Sequence, residues 1–264
     1  MKQIGILGFG FMGEALVGGI GHMADPPRVG VVEKVAERAT LAVEQYGCKG
    51  YGSDIDALFR DSTLVILAVK PQQAASLFPQ IRESAGDTPV LSVLAGTTTD
   101  RIRELLGERP VVRFMPNLAA KAQKSVVGVC FSGGVDQALR SFALDLAAAV
   151  GTPIVLPESQ MSAITGLSGS GIAFAFQFIH ALALGGTRNG IAYPQSLDAA
   201  LGVVEGAAAI LKSTGVHPQE MVSRVCSPAG TTVEGVLALE EGELTATVVD
   251  AVTRAARRAE ELES

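Results

Sequence analysis

The chain has 264 residues, 48% of them hydrophobic and 18% charged, with a formal net charge of −6. That composition excludes a disordered chain and supplies apolar material for one large domain or two smaller ones. The acidic balance, with no segment rich in Lys and Arg, leaves no electrostatic footprint for nucleic acid.

From the N-terminus, "MKQIGIL" enters a strand at once, without the successive charged, apolar and cleavage regions of a secretory signal. Strands are expected at 3–8, 28–33, 62–69, 88–95, 110–115, 125–132 and 152–156. Several are apolar throughout, as strands buried on both faces of a parallel sheet are. Helical patterns lie between them, as at 34–47 and 135–151. This alternation predicts a doubly wound, Rossmann-type α/β domain over 1–157.

From 158 to 264 the β-branched runs stop, and Ala- and Leu-rich segments predict an all-helical domain. Its longest apolar stretch, 171–186, is interrupted by Gln177 and His180. It falls short of the ~18 consecutive apolar residues that argue for a membrane span, so no membrane partner and a cytoplasmic location are expected. Segments 174–186 and 196–211 are apolar nearly all round, and a domain this small has few places to bury them. An obligate homodimer with interlocked C-terminal helices is expected, with a larger ring as a further step. The last segment, 244–263, has an apolar face and an Arg/Glu face.

Cys48, Cys130 and Cys226 are odd in number and far apart, and His22, His180 and His217 show no ligand spacing. Neither a disulfide framework nor a metal site is expected.

The stretch "GFGFMG" (8–13) follows a strand and opens a helical run, and a second strand ends in Glu33, 25 residues after Gly8. A ribose-binding acid is expected ~20 residues after such a turn. Gly8 would make the tight turn, Gly10 would let the backbone approach a pyrophosphate, and Gly13 would let the helix pack closely on the sheet. Phe9, Phe11 and Met12 complete the candidate dinucleotide turn, with Glu33 and Lys34 at the second strand's end. The alternative is a strand-to-helix turn with no ligand.

Further along stand "ILAVKPQ" (66–72), "SVLAG" (92–96), "RFMPN" (113–117), "TGLSGSGIAFAF" (165–176) and "VCSPAGTTVEG" (225–235). In order and spacing, with the glycine turn, they strongly resemble pyrroline-5-carboxylate reductase over nearly the whole chain. The chain departs from the family's usual residues at Phe11, Leu118, Ala119, Ile172, Phe174 and Ala229. The resemblance implies hydride transfer from NADPH or NADH to the C=N bond of 1-pyrroline-5-carboxylate, giving L-proline. Positioning two rings face to face demands no activated nucleophile, and none is visible.

By the same resemblance, Ser227, Gly230, Thr231 and Thr232 hold the substrate, with Thr232 nearest the imine nitrogen as the catalytic hydroxyl. Small residues there let N–H groups converge on a carboxylate; the alternative is that Ser and Thr merely cap a helix. Ser168, Gly169 and Ser170 would line the nicotinamide and substrate cleft, or only permit a close helix crossing. Ala68, Val69, Lys70 and Pro71 form a strand-end corner against the cofactor, with Lys70 alternatively a plain surface cation. Ala95 and Asn117 end further strands on the cofactor side. Glu158 would stand near the nicotinamide or be a solvated acid at a helix start. Cys226 reads as a buried thiol.

Glu33, with Asp54 as a further acid near the adenosine ribose, would face a 2′-phosphate as a like charge. NADH use at least comparable to NADPH use is therefore expected, since an exposed Lys34 would offset only ~0–1 kcal/mol. Two other readings remain. A hydroxy-acid dehydrogenase of the same plan needs a Lys or similar acid–base around 165–176, where only small and apolar residues stand. A nucleotide-sensing paralogue without catalysis would have lost the block that keeps Gly230, Thr231 and Thr232.

Overall fold

Strands β1 (Gln3–Leu7), β2 (Arg28–Val32), β3 (Lys49–Gly50), β4 (Leu64–Leu67), β5 (Val90–Ser92), β6 (Val111–Met115), β7 (Ser125–Phe131) and β8 (Gly151–Val155) form one sheet. A computed structural model describes residues 3–263, apart from the side chain of Pro71. The strand order is β3-β2-β1-β4-β5-β6-β7-β8, and its first six strands follow the dinucleotide-fold order. All pairings are parallel except β6 with β7. That reversal follows from the connection: only the short 3-10 turn Leu118–Ala122 lies between them, too little chain for a parallel crossover. The two-residue β3 is absent from the expected strands.

Helices α1 (Phe11–Ile20), α2 (Ala36–Glu44), α3 (Ile55–Asp61), α4 (Pro71–Ser84), α5 (Thr99–Leu106) and α6 (Gln137–Ala148) cover both faces. The pleat sorts the strand side chains between them. Ile4, Ile6, Leu64, Ile66 and Val112 join α1 and α6 in one core. Leu7, Val65, Leu67, Val90 and Val111 join α3, α4 and α5 in the other. Burial on both faces is why these strands read as unbroken apolar runs. The edge strand β8 is different, with Ile154 38% and Val155 53% exposed.

After β8 come α7 (Met161–Ile164), a π-helical segment Thr165–Ser170, α8 (Gly171–Arg188), α9 (Tyr193–Thr214), α10 (Pro218–Val225), α11 (Thr231–Glu241) and α12 (Leu244–Glu263). Two compact units result: residues through Ser170 with Thr253 onward, and Gly171–Val252. The division falls later than residue 157 for a packing reason. Met161 and Ile164 are buried against Met115 and Cys130, so this stretch belongs to the first unit's core.

The second unit buries very little by itself. Among its described residues only Ala183, Ser196 and Ala200 are buried. Phe176, Leu201, Val203, Leu237 and Val249 stand exposed. The continuous helical run Glu158–Arg188, 31 residues, is long and apolar enough by length and composition to cross a membrane. The sequence expectation placed its apolar stretch short of that limit.

Candidate functional site

The strand order reverses between β1 and β4, and open α/β sheets bind ligands at the carboxyl ends beside such a point. There Gly8 turns the chain with φ +97°, and a side chain on it would meet Val69 Cγ1 at 2.8 Å and the Ala68 carbonyl at 2.9 Å. A Cβ on Gly13 would strike the Gly8 carbonyl. Packing alone therefore demands glycine at both positions. Gly10 is different: a Cβ there would meet only Arg38 Nη1, at 3.6 Å. Its open side is room the protein does not fill.

Gly10 also caps α1 without any side-chain hydrogen bond, so the first N–H groups of the helix point at that room. The Phe9 ring is buried in the core, and its N–H donates to Glu33 Oε2 at 2.6 Å. Glu33 Oε1 accepts the Val35 N–H at 2.8 Å. The acid is thus held against the glycine turn from the end of β2. Phe11 is 42% exposed at the start of α1, with Lys121 Nζ 4.8 Å from its ring centroid. Lys121 also bonds Glu14 at 2.7 Å, and that bond leads in holding Glu14 below the usual carboxylate range. Met12 is half-buried against the core, and Lys34 is exposed.

Other strand ends gather at the same edge of the sheet. Ala68 and Val69 follow β4, and exposed Lys70 caps α4 with Pro71 next, whose side chain lies outside the described residues. Ala95 is exposed after β5. Asn117, after β6, is buried: Oδ1 accepts the Ala119 N–H at 3.0 Å, and Nδ2 donates to Ser168 Oγ at 3.1 Å. Asp54 is a helix cap, its carboxylate accepting the Ala57 N–H at 2.9 Å.

Glu158 is not a solvated acid at a helix start. One carboxylate oxygen accepts the Thr99 hydroxyl at 2.5 Å and the Thr99 N–H at 3.0 Å, while the other bonds Arg113. Burial alone would raise its pKa; the Thr99 hydrogen bonds and the Arg113 charge outweigh that and hold it below the ordinary value. Beside it, burial and the Glu158 charge push the Cys130 thiol up to about 12, which leaves it inert. Arg113 is fully buried on β6 and also pairs with Glu263. Sequence reasoning singled out neither residue, although an Arg inside the apolar run "VVRFM" requires a buried partner.

The segment Thr165–Ser170 is π-helical, a rare geometry that recurs at functional sites. Within the first unit a Cβ on Gly169 would meet only Thr165 Cγ2, at an ordinary 3.6 Å, so close packing there does not demand the glycine. Ser168 is buried with its hydroxyl donating to the Val126 carbonyl at 3.2 Å. Gly169 and Ser170 are the half-buried ones.

In the second unit, Thr231 and Thr232 are the first residues of α11, and Gly230 caps it with no side-chain hydrogen bond. The alternative reading, that Ser or Thr here merely caps a helix, does not match this geometry: Gly230 is the cap residue, and the two hydroxyls sit in the first turn beyond it. Ala229 takes the left-handed conformation, φ +55°, and a Cβ on Gly230 would collide with Ser227 Oγ. Cys226 is partly exposed, not buried.

Residues 158–262 match the family model described as pyrroline-5-carboxylate reductase dimerisation. Residues 3–96 match that of the coenzyme F420-dependent NADP oxidoreductases. A pyrroline-5-carboxylate reductase of Aquifex aeolicus is 35% identical, over 98% of this chain and 97% of its own. The chain belongs to the pyrroline-5-carboxylate reductase family. A solved pyrroline-5-carboxylate reductase from Coxiella burnetii superposes with TM-score 0.92 at 29% identity, covering 100% of this chain and 99% of that one. The Plasmodium falciparum pyrroline carboxylate reductase, solved with NADP bound, shares the fold with TM-score 0.87 at 23% identity, over 100% and 98% of the chains. The reductase is accordingly an NAD(P)H-dependent oxidoreductase of proline biosynthesis, with a nucleotide-binding first part and the family's dimerisation region. The apolar run Glu158–Arg188 lies within that region.

Proposed function

We propose that this reductase holds its dinucleotide at the start of α1 and the carboxylate of 1-pyrroline-5-carboxylate at the start of α11. The observation that carries the second half is the uncapped N-terminus of α11. Among the described residues, the Thr231 and Thr232 hydroxyls have no hydrogen-bond partner inside the chain. Free N–H groups and two hydroxyls form an anion site, and Thr232 is assigned the hydrogen bond to the imine nitrogen. Ser227 and Gly230 shape the loop before it. Gly169 and Ser170 are assigned to the ring-stacking cleft, with Ser168 fixing their backbone through Asn117.

For the cofactor, Gly10 and the first N–H groups of α1 suit a pyrophosphate. Gly8 and Gly13 shape the turn, and Ala68, Val69, Lys70, Pro71 and Ala95 border it along the strand ends. When bound, the nicotinamide supplies the hydride; the protein's part is orientation and exclusion of water. Glu33 is assigned to the ribose hydroxyls, which supports NADH use at least comparable to NADPH use.

The functional boundary is proposed after residue 157, since the match to the dimerisation region begins at residue 158. The exposed apolar helices of that region support a homodimer with interlocked helices, further assembled into a ring. Substrate, product and cofactor are small and water-soluble, which suits a cytoplasmic location. Steady-state consumption of NADH and of NADPH with the imine, alongside light scattering, tests the reading. Turnover with both cofactors and a dimeric or larger mass are expected. Neither the site assignment nor the assembly survives a monomer that binds the imine but does not reduce it.

A further inference from the structure

Arg38 lies in the first turn of α2, and its guanidinium reaches the open side of Gly10. It is exposed, and among the described residues its guanidinium has neither an ion pair nor a hydrogen bond within the chain. An unpaired cation thus stands over the one glycine of the turn that packing does not require. On the other side of the same loop, both Glu33 oxygens accept backbone N–H groups, from Phe9 at 2.6 Å and from Val35 at 2.8 Å. Those bonds turn the carboxylate into the loop and offset part of its charge.

The end of the second strand is where this fold places the adenosine ribose. A nucleotide seated there meets an acid fixed by the backbone and an exposed guanidinium together. The acid suits two ribose hydroxyls. The guanidinium suits a phosphate, which it can grip through two parallel N–H bonds, as the neighbouring Lys34 ammonium cannot. We propose that Arg38 binds the 2′-phosphate of NADPH, and that the Glu33 and Arg38 pair makes the site serve both cofactors. The proposal rests on the reading that Glu33 stands at the adenosine ribose.

The test is calorimetric titration of the full chain with adenosine 2′,5′-bisphosphate and with adenosine 5′-diphosphate, for wild type, Arg38→Gln and Glu33→Gln. Kinetics with NADPH and NADH run in parallel. Arg38 makes no ion pair or hydrogen bond through its guanidinium and adds only the smallest of the charge effects that favour ionised Glu14, so Arg38→Gln is expected to fold with a nearly unchanged Tm. It should weaken the 2′,5′-bisphosphate about tenfold or more and leave the 5′-diphosphate within about twofold. The KM for NADPH should rise in step while that for NADH stays. Equal weakening of both ligands would give Arg38 to the pyrophosphate and overturn the proposal. No change with Arg38→Gln, beside weakened NADH binding in Glu33→Gln, overturns the Arg38 role but keeps the ribose reading. No change in either variant removes both.

Discussion

Arg113 and Glu263 stand 150 residues apart in the chain, and their side chains meet at 2.5 Å. Arg113 is fully buried, its other Nη group bonds Glu158, and Ser162 Oγ donates to the second Glu263 oxygen at 3.0 Å. The last turn of α12 is thereby fastened to β6 in the middle of the sheet. Removing the cation leaves two carboxylates in a poorly solvated place, which costs about 3–5 kcal/mol for a buried pair. Arg113→Ala should lower the unfolding free energy by that order in a denaturant titration. Arg224→Ala, which breaks an exposed pair on α10, should change it by no more than about 0.5 kcal/mol.

The depressed pKa of Glu158 makes part of the stability pH-dependent. The folded chain binds this proton less readily than the unfolded chain, whose Glu titrates near 4.5. The contribution is therefore complete above that value and is lost as pH falls through the lower, folded one. Thermal unfolding followed from about pH 6 to about pH 3 should show a steeper decline in wild type than in Glu158→Gln. Parallel declines would mean that Glu158 does not carry the acid limb.

Thr232→Ala should lower catalytic efficiency on the imine roughly ten- to hundredfold, the value of ~1–3 kcal/mol for one lost hydrogen bond. Cofactor affinity should hardly move, because Thr232 is assigned to the substrate and Gly10 to the dinucleotide. Wild-type kinetics in this variant would reduce Thr232 to an ordinary first-turn residue of α11.

Glu33→Ser removes a charge from the loop that the glycine turn shares. A like charge about 4 Å from a phosphate in water costs roughly 1 kcal/mol, so the ratio of efficiencies should move about fivefold toward NADPH. An unchanged ratio of efficiencies in Glu33→Ser would show that Glu33 is not the ribose acid.

Ala229 holds a left-handed backbone before α11, with φ +55°. That conformation costs an Ala roughly 1–2 kcal/mol, while a Gly there would lose about 0.4–1 kcal/mol to the unfolded chain's freedom. Ala229→Gly should therefore raise the Tm or leave it unchanged. A clear drop in a thermal scan would show that the Ala229 methyl packs against something that offsets its strain.

Local pattern determined much of this protein. Strands buried on both faces announce themselves as apolar runs, so β1, β4, β5, β6 and β7 lie where those runs do, while β2 and the exposed edge strand β8 are legible from their β-branched residues. The amphipathic stretch 244–263 is α12 to the residue. Gly8 and Gly13 are legible because a tight turn and a close helix contact each demand the smallest residue. The apolar all-round helices of the second unit were equally plain, since hydrophobicity is carried by the residues themselves.

What the residues could not declare are relationships between distant groups. A two-residue strand such as β3 has no periodicity to read, and the reversed β7 depends on how its short connection folds. Nothing beside Glu158 in the sequence shows its partners, because Arg113 comes to it from within β6 and Thr99 from the start of α5. The spacing from Gly8 singles out Glu33, but that its oxygens turn toward Phe9 and Val35, with the Arg38 guanidinium beside Gly10, is a matter of three-dimensional approach. Electrostatic and hydrogen-bond energies depend on separation in space, and separation along the chain does not carry that information.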